Sequence, residues 1–194
     1  MPTGIAMRDA REQLFDAAER VLVRDGPNAL TSRAVTAEAG VAKGVLHRHF
    51  EDFEGFLAEL VKDRNAALAT QAAALRDAVG TASVADNLTA TLIALFGPLT
   101  VAIVALVISR DGLRARLRKA GFRRLPLVVE GTAMIASYLT AERGLGRVAA
   151  HADVNALAPT LVGAVHLLFT DRQGPPPKPA DVHRIVATVI AGVA

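Results

Sequence analysis

Apolar residues in this chain recur at every third or fourth position, and no stretch sustains alternation at every second, so the sequence encodes helices and not a sheet. Leu14, Ala17, Ala18, Val21 and Leu22 stand at i, i+3, i+4, i+7 and i+8 of a helix predicted over 11–25. Asp25-Gly26-Pro27-Asn28 ends it, because glycine admits a positive φ and proline cannot continue the ladder. Thr31 then stands where an N-cap belongs, a short helix follows over 32–39, Gly40 breaks it, and a second short helix is predicted over 42–49. Phe53, Phe56, Leu57, Leu60, Val61, Ala67 and Leu68 mark a long helix reaching toward Val79. Helices are also predicted over 83–96, 99–109, 125–141 and 153–170. The tract Gly174-Pro175-Pro176-Pro177-Lys178-Pro179 reads as a stiff linker. The last helix carries Val182, Ile185, Val186, Val189, Ile190 and Val193 on one stripe. The fold class is all-α.

Composition narrows the function. With 52% apolar residues and 21% charged ones, the 194-residue chain can bury a core. It has no cysteine, which removes disulfides, thiolate nucleophiles and cysteine-ligated metals. Aromatic residues are 4% with no tryptophan, which argues against stacking platforms for single-stranded nucleic acid. The five histidines form no His-Glu-x-x-His pair, and neither a Gly-x-Ser-x-Gly elbow nor a phosphate-binding loop is present. Gly144-Leu145-Gly146 is a fragment of a dinucleotide fingerprint without its strand. No enzyme activity, cofactor or metal is expected. No basic segment with an apolar stretch behind it opens the chain, so no signal peptide is expected, and the absence of cysteine is consistent with the expected cytoplasmic location. Residues 87–109 carry no charge, enough in length for a membrane span. Gly97-Pro98 divides that run, which suits two buried helices better than the alternative of a membrane-associated helical sensor.

The informative segment is 31–50. Two short helices around Gly40 describe a helix-turn-helix, whose second helix enters the major groove of duplex DNA. Ala39 is small enough for the helices to cross closely, and Val41 and Leu46 pin the second one to a core. Lys43, Gly44, Val45, His47 and Arg48 are left facing outward. Residues 31–50 hold Arg33, Lys43 and Arg48 against Glu38 alone, whereas the first 64 residues as a whole carry 9 Lys+Arg against 11 Asp+Glu. A DNA-binding argument therefore rests on local arrangement.

The run Leu14, Asp16-Ala17-Ala18, Leu22, Gly26, Thr31, Val35, Ala39-Gly40-Val41, Gly44, Leu46 and His49-Phe50 resembles the DNA-binding domain of the tetracycline-repressor (TetR) family. The resemblance covers about residues 11–60. It implies a flexible arm over 1–10, a three-helix helix-turn-helix domain over 11–60, and a helical effector-binding and dimerisation domain over 61–194. It further implies a homodimer joined through the last two helices, a palindromic operator, and a repressor released by a small apolar effector. The DNA contacts it implies are Thr31, Ser32, Arg33, Lys43, Gly44, Val45, His47, Arg48 and His49. The effector would lie among the middle helices of the second domain, with Phe96, Thr100, Val104, Ile108, Glu130, Tyr138 and His166 as candidate contacts. Three departures stand out. His47 occupies a position that is usually tyrosine, Ala42 one that is commonly serine, and Phe53 one that is often a phosphate-binding lysine. Glu51, Asp52 and Glu54 around Phe53 would repel DNA. The basic run Arg110, Arg114, Arg116, Arg118, Lys119, Arg123 and Arg124, opposed by Asp111, is either a solvated connector or a surface for phosphates or an acidic effector.

Overall fold

A computed structural model describes residues 4–122, 124–170 and 174–194. Among these residues the only regular structure is helix: α1 (Gly4–Asp25), α2 (Ser32–Glu38), α3 (Gly44–His49), α4 (Phe53–Asp77), α5 (Val84–Leu95), α6 (Pro98–Ser109), α7 (Asp111–Lys119), α8 (Pro126–Gly144), α9 (Val154–Leu168) and α10 (Pro179–Val189). Helix α1 starts inside the segment expected as an arm. Ala6, Met7, Arg8 and Ala10 favour helix and nothing between Gly4 and Arg11 breaks it.

The chain divides into two units, residues 1–64 with 98–125, and residues 65–97 with 126–194. In the first unit, α1 buries Leu14, Ala17, Ala18, Val21 and Leu22 against α2 and α6. Helix α6 is apolar nearly all round and buries Val101, Ala102, Ile103, Val104, Leu106 and Val107, as a helix enclosed by neighbours must. Helix α7 falls inside the basic run that sequence treats as a possible connector. Leu113 and Leu117, one turn apart, are buried and anchor it against α6, while its remaining positions are charged or small.

The second unit packs α8 on α9, and α10 on both α5 and α9. Helices α5 and α8 approach closely at Gly131, where a Cβ would lie 2.6 Å from Leu95 Cδ2. Of the α10 stripe, Val182, Val186 and Ile190 are buried, with α10 packed on α5 and α9, whereas Ile185, Val189 and Val193 are half-buried. The uncharged run 87–109 is split between α5 and α6 at Phe96-Gly97, and each half contributes to a core. Among the described residues no single helix is long and apolar enough to cross a membrane, so the alternative of a membrane-associated sensor finds no support.

Candidate nucleic-acid interface

Helix α2 is fixed at both ends by local chemistry. Thr31 has an extended backbone, and its Oγ1 accepts from the Ala34 amide at 3.1 Å, an N-cap contributing about 1 kcal/mol. At the other end Gly40 adopts φ +66. The Gly40 amide donates to Ala37 O at 3.1 Å and the Val41 amide to Thr36 O at 3.0 Å. That pair of bonds is a Schellman turn, which requires a left-handed residue at the glycine position. From α1, Gln13 Nε2 donates to Ala39 O at 2.9 Å and so ties the turn to the first helix. Arg20 and Arg24 hold Glu38 at 2.8 and 3.0 Å, which neutralises the one carboxylate of the segment.

Helix α3 has six residues and no side-chain cap at Lys43. Its position depends on burial of Leu46 and of Phe50, the residue that ends it. Phe50 packs edge-on against Phe56 with ring centres 4.9 Å apart and tilted against Phe15 at 5.8 Å, and the Arg11 guanidinium lies 4.6 Å over its ring. With this side anchored, Lys43, Gly44, His47 and Arg48 are exposed, while Val45 and His49 are half-buried. On α2, Thr31 and Arg33 are exposed and Ser32 is half-buried, its hydroxyl oxygen enclosed without a hydrogen-bond partner. The exposed part of the set expected to touch DNA is thus Thr31, Arg33, Lys43, Gly44, His47 and Arg48.

The acidic run at the start of α4 does not stand uncompensated. Arg110 reaches Glu54 Oε1 with both Nε (3.0 Å) and Nη2 (2.5 Å), lies 5.4 Å over the Phe53 ring, and donates to Leu30 O at 3.4 Å. Arg116 pairs with Glu51 at 3.1 Å and with Asp52. Arg114 pairs with Asp111 and donates to Val107 O at 3.1 Å and to Ile108 O, closing the C-terminal end of α6. Two members of the basic run therefore hold the carboxylates that would repel DNA. Sequence cannot anticipate these pairs because some 56 to 65 positions separate the partners. Arg118, Lys119 and Arg124 are exposed, and Arg123 lies outside the described residues.

The seven candidate effector contacts fall in both units. In the first, Val104 is buried, Thr100 half-buried, and Ile108 is 56% exposed beside a cavity. In the second, Glu130 lines a groove of about 340 Å³ between α4 and α8 together with Asn65, Arg76 and Ser137. Tyr138 is buried, its hydroxyl oxygen accepts from Asn87 Nδ2 at 3.0 Å, and burial pushes its pKa up to about 12. Phe96 is buried and stacks on His166 at 5.2 Å and on Phe169 at 6.0 Å.

Burial lowers the His166 pKa from its ordinary 6.5. On acidification the unfolded chain therefore takes up this proton before the folded one does, so stability is lost as pH falls through about 6.5. Denaturant unfolding between pH 7.5 and 5.5 should show a falling unfolding free energy, and His166→Phe should flatten that fall. An identical slope in the variant would refute the assignment to His166. Among the described residues no group of three or more His, Asp or Glu is placed to hold a metal ion.

Two helices joined by a Schellman turn, the second presenting Lys43, His47 and Arg48, define a helix-turn-helix DNA-binding domain in an all-helical protein. Residues 14–60 of the chain match the family described as bacterial regulatory proteins, tetR family. Its fold is similar to that of Escherichia coli NemR in its reduced form (18% identity, TM-score 0.72, covering 95% of this chain and 97% of that one). It is also similar to the transcriptional regulator FadR from Bacillus subtilis in complex with stearoyl-CoA (19%, 0.68, 94% and 99%). A third similar structure is the fatty acid degradation regulator FadR from Bacillus halodurans (16%, 0.71, 94% and 95%). At these identities the likeness establishes a shared fold. No curated protein matches the sequence.

Proposed function

We propose that the chain is a ligand-responsive transcriptional regulator, a cytoplasmic homodimer that represses by binding a palindromic operator in double-stranded DNA and is released by a small apolar effector. The observation that carries the proposal is the anchored α3 helix, whose buried Leu46 and Phe50 leave Lys43, Gly44, His47 and Arg48 on one open face. Lys43 and Arg48 supply charge-assisted donors to phosphate or guanine, and His47 donates a hydrogen bond where the family usually has tyrosine. Thr31, Ser32 and Arg33 line the start of α2, where backbone amides and a cation suit a phosphate. Val45 and His49 border the same face. The clamps of Arg110 and Arg116 remove the repulsion that the acidic run would otherwise exert.

Dimerisation through the last two helices follows from the requirement that a single recognition helix reads half a site, so that two must lie about 34–36 Å apart or a multiple of it. The outward face of α9, with Ala156, Thr160, Gly163 and the 71% exposed Leu167, and the half-buried Ile185 and Val189 of α10 are the surfaces proposed to meet the partner. The effector contacts proposed are Phe96, Glu130, Tyr138 and His166 in the second unit, with Thr100, Val104 and Ile108 in the first. The FadR relative whose structure holds stearoyl-CoA lends support to a largely apolar ligand. Release requires that the ligand bind the DNA-incompetent state more tightly than the DNA-competent one.

Selection of genomic fragments by the purified protein, followed by titration of the enriched duplex at two salt concentrations, tests this directly. An enriched palindrome bound with a steep salt dependence is expected, and absence of any enriched sequence refutes the proposal. Gly44 gives a sharper check. A Cβ built there meets nothing within 4 Å and its φ is not positive, so glycine serves no internal packing or backbone purpose. Gly44→Ala should therefore leave thermal unfolding unchanged or slightly raised. It should weaken operator binding about tenfold, equivalent to about 1.4 kcal/mol, by holding the DNA backbone away. Operator affinity equal to that of the unsubstituted protein would show that DNA does not approach this glycine.

A further inference from the structure

We infer that the cavity bounded by α6, α7 and the side chains of Phe122, Arg124 and Leu125 is a binding site for an amphipathic anion, a molecule with an apolar body and a carboxylate or phosphate head. The cavity holds about 390 Å³, within the range of small-molecule sites. Val107, Leu117 and Phe122 form apolar wall, and Arg114, Arg118 and Arg124 stand around it. Val107 and Leu117 are buried, so the wall belongs to the core of the first unit and is preformed.

The three arginines differ in what they are free to do. Arg114 is committed to Asp111 and to the carbonyls that end α6. Arg118 and Arg124 have no carboxylate partner among the described residues, and both are exposed at the cavity. The nearest acidic group on α7, Asp111, is already paired. Two free guanidiniums over an apolar wall fit an oxyanion head, since the planar fork accepts carboxylate or phosphate oxygens in pairs. The wall simultaneously removes the tail from water. A neutral apolar molecule would leave both guanidiniums without a counter-charge, and a DNA phosphate would make no use of the wall. The inference deepens the proposed ligand response with a first-unit site for a charged ligand, and of the effector contacts proposed above this cavity includes Ile108. Binding of the anion itself does not depend on the operator, whereas its regulatory meaning does.

The chain has no tryptophan, which supplies the assay. Phe122→Trp puts a single indole at the half-buried rim of the cavity. This protein is titrated, without DNA, with decanoate, decyl phosphate and 1-decanol, which share a tail and differ in head. The same titrations are run after adding Arg118→Ala and Arg124→Ala, two exposed positions whose loss is checked by thermal melting. A saturable shift of indole emission with decanoate or decyl phosphate is expected, at least tenfold weaker with decanol and at least tenfold weaker in the double-alanine background. Which head binds more tightly separates a carboxylate ligand from a phosphate one. Equal affinity for decanol, an unchanged affinity after both arginines are removed, or no saturable shift overturns the inference. As a separate readout, the double-alanine variant with Phe122 intact should bind the selected operator with an unchanged salt slope. A slope reduced by about two, one for each phosphate that an arginine would otherwise neutralise, would assign the arginines to DNA and overturn the inference as well. Failure to select any operator would leave the anion titration standing, so the two proposals fail separately.

Discussion

Phe56→Ala should lower the unfolding free energy by about 4 kcal/mol, as removal of a fully enclosed phenyl ring does. Phe56 is completely buried at the first turn of α4. Its ring lies 4.9 Å from that of Phe50, 5.6 Å from Phe15 and 5.7 Å from Phe53, so it touches the end of α3, the middle of α1 and its own helix. Deleting it loses the transfer of the ring from water and leaves a hole that three aromatic neighbours, each fixed by its own helix, fill poorly. The loss is comparable with the whole stability of a marginal domain. It also frees Phe50, and with it the short helix that presents Lys43 and Arg48. Urea unfolding and operator titration should therefore both respond. A loss below about 1.5 kcal/mol would mean that the site collapses readily and that the ring cluster does not set the position of α3. Phe53→Ala, at a half-buried position, serves as the smaller reference.

Glu142→Ala should cost about 3 kcal/mol, in the second unit. The carboxylate is fully buried near the end of α8. Its Oε1 accepts from the Gly80 amide at 3.1 Å, and its Oε2 lies 3.4 Å from Arg147 Nε, within ion-pair range although the geometry is not that of a hydrogen bond. Alanine strands the amide and removes the counter-charge of Arg147. Breaking a fully buried pair costs about 3–5 kcal/mol, and the partial exposure of Arg147 places this case at the low end of that range, about 3 kcal/mol. Glu142→Gln keeps an acceptor for Gly80 and loses the charge, so it should fall between the two. Equal stability of the alanine and glutamine variants would show that the amide bond contributes nothing and that the ion pair is the whole effect.

The parts of the fold legible in the sequence are those whose stabilising contacts are local. Leu14 to Leu22 repeat cleanly, and Gly40 marks a turn whose φ does require glycine. Thr31 is recognisable as a cap because the bond it makes spans three residues. Helix α7 is not legible, since two leucines one turn apart disappear among arginines and the carboxylates that engage them lie far back in the chain. Glu142 escapes for a related reason: beside Arg143 at the end of an apolar helix it reads as a surface residue, and only the fold brings Gly80 and Arg147 to it. The outward set on α3 is readable as soon as Leu46 is assigned inward. The effector candidates are polar residues on apolar helices together with their apolar neighbours, a criterion that ignores which helices share a core, and they fall accordingly in two units.

The first unit is discontinuous in sequence, and this bears on how the protein can be taken apart. The family domain ends at residue 60, yet the core containing α1 continues through 98–125. Helix α6 covers part of α1, Arg110 supplies the counter-charge of Glu54, and Arg116 of α7 supplies those of Glu51 and Asp52. A fragment cut at the family boundary would bare apolar surface and leave three carboxylates unpaired. The helix-turn-helix of this chain is therefore not an exchangeable cassette: a hybrid joining residues 1–60 to a foreign domain keeps the outward residues of α3 but loses their support. Transplantation would have to carry 98–125 along with it.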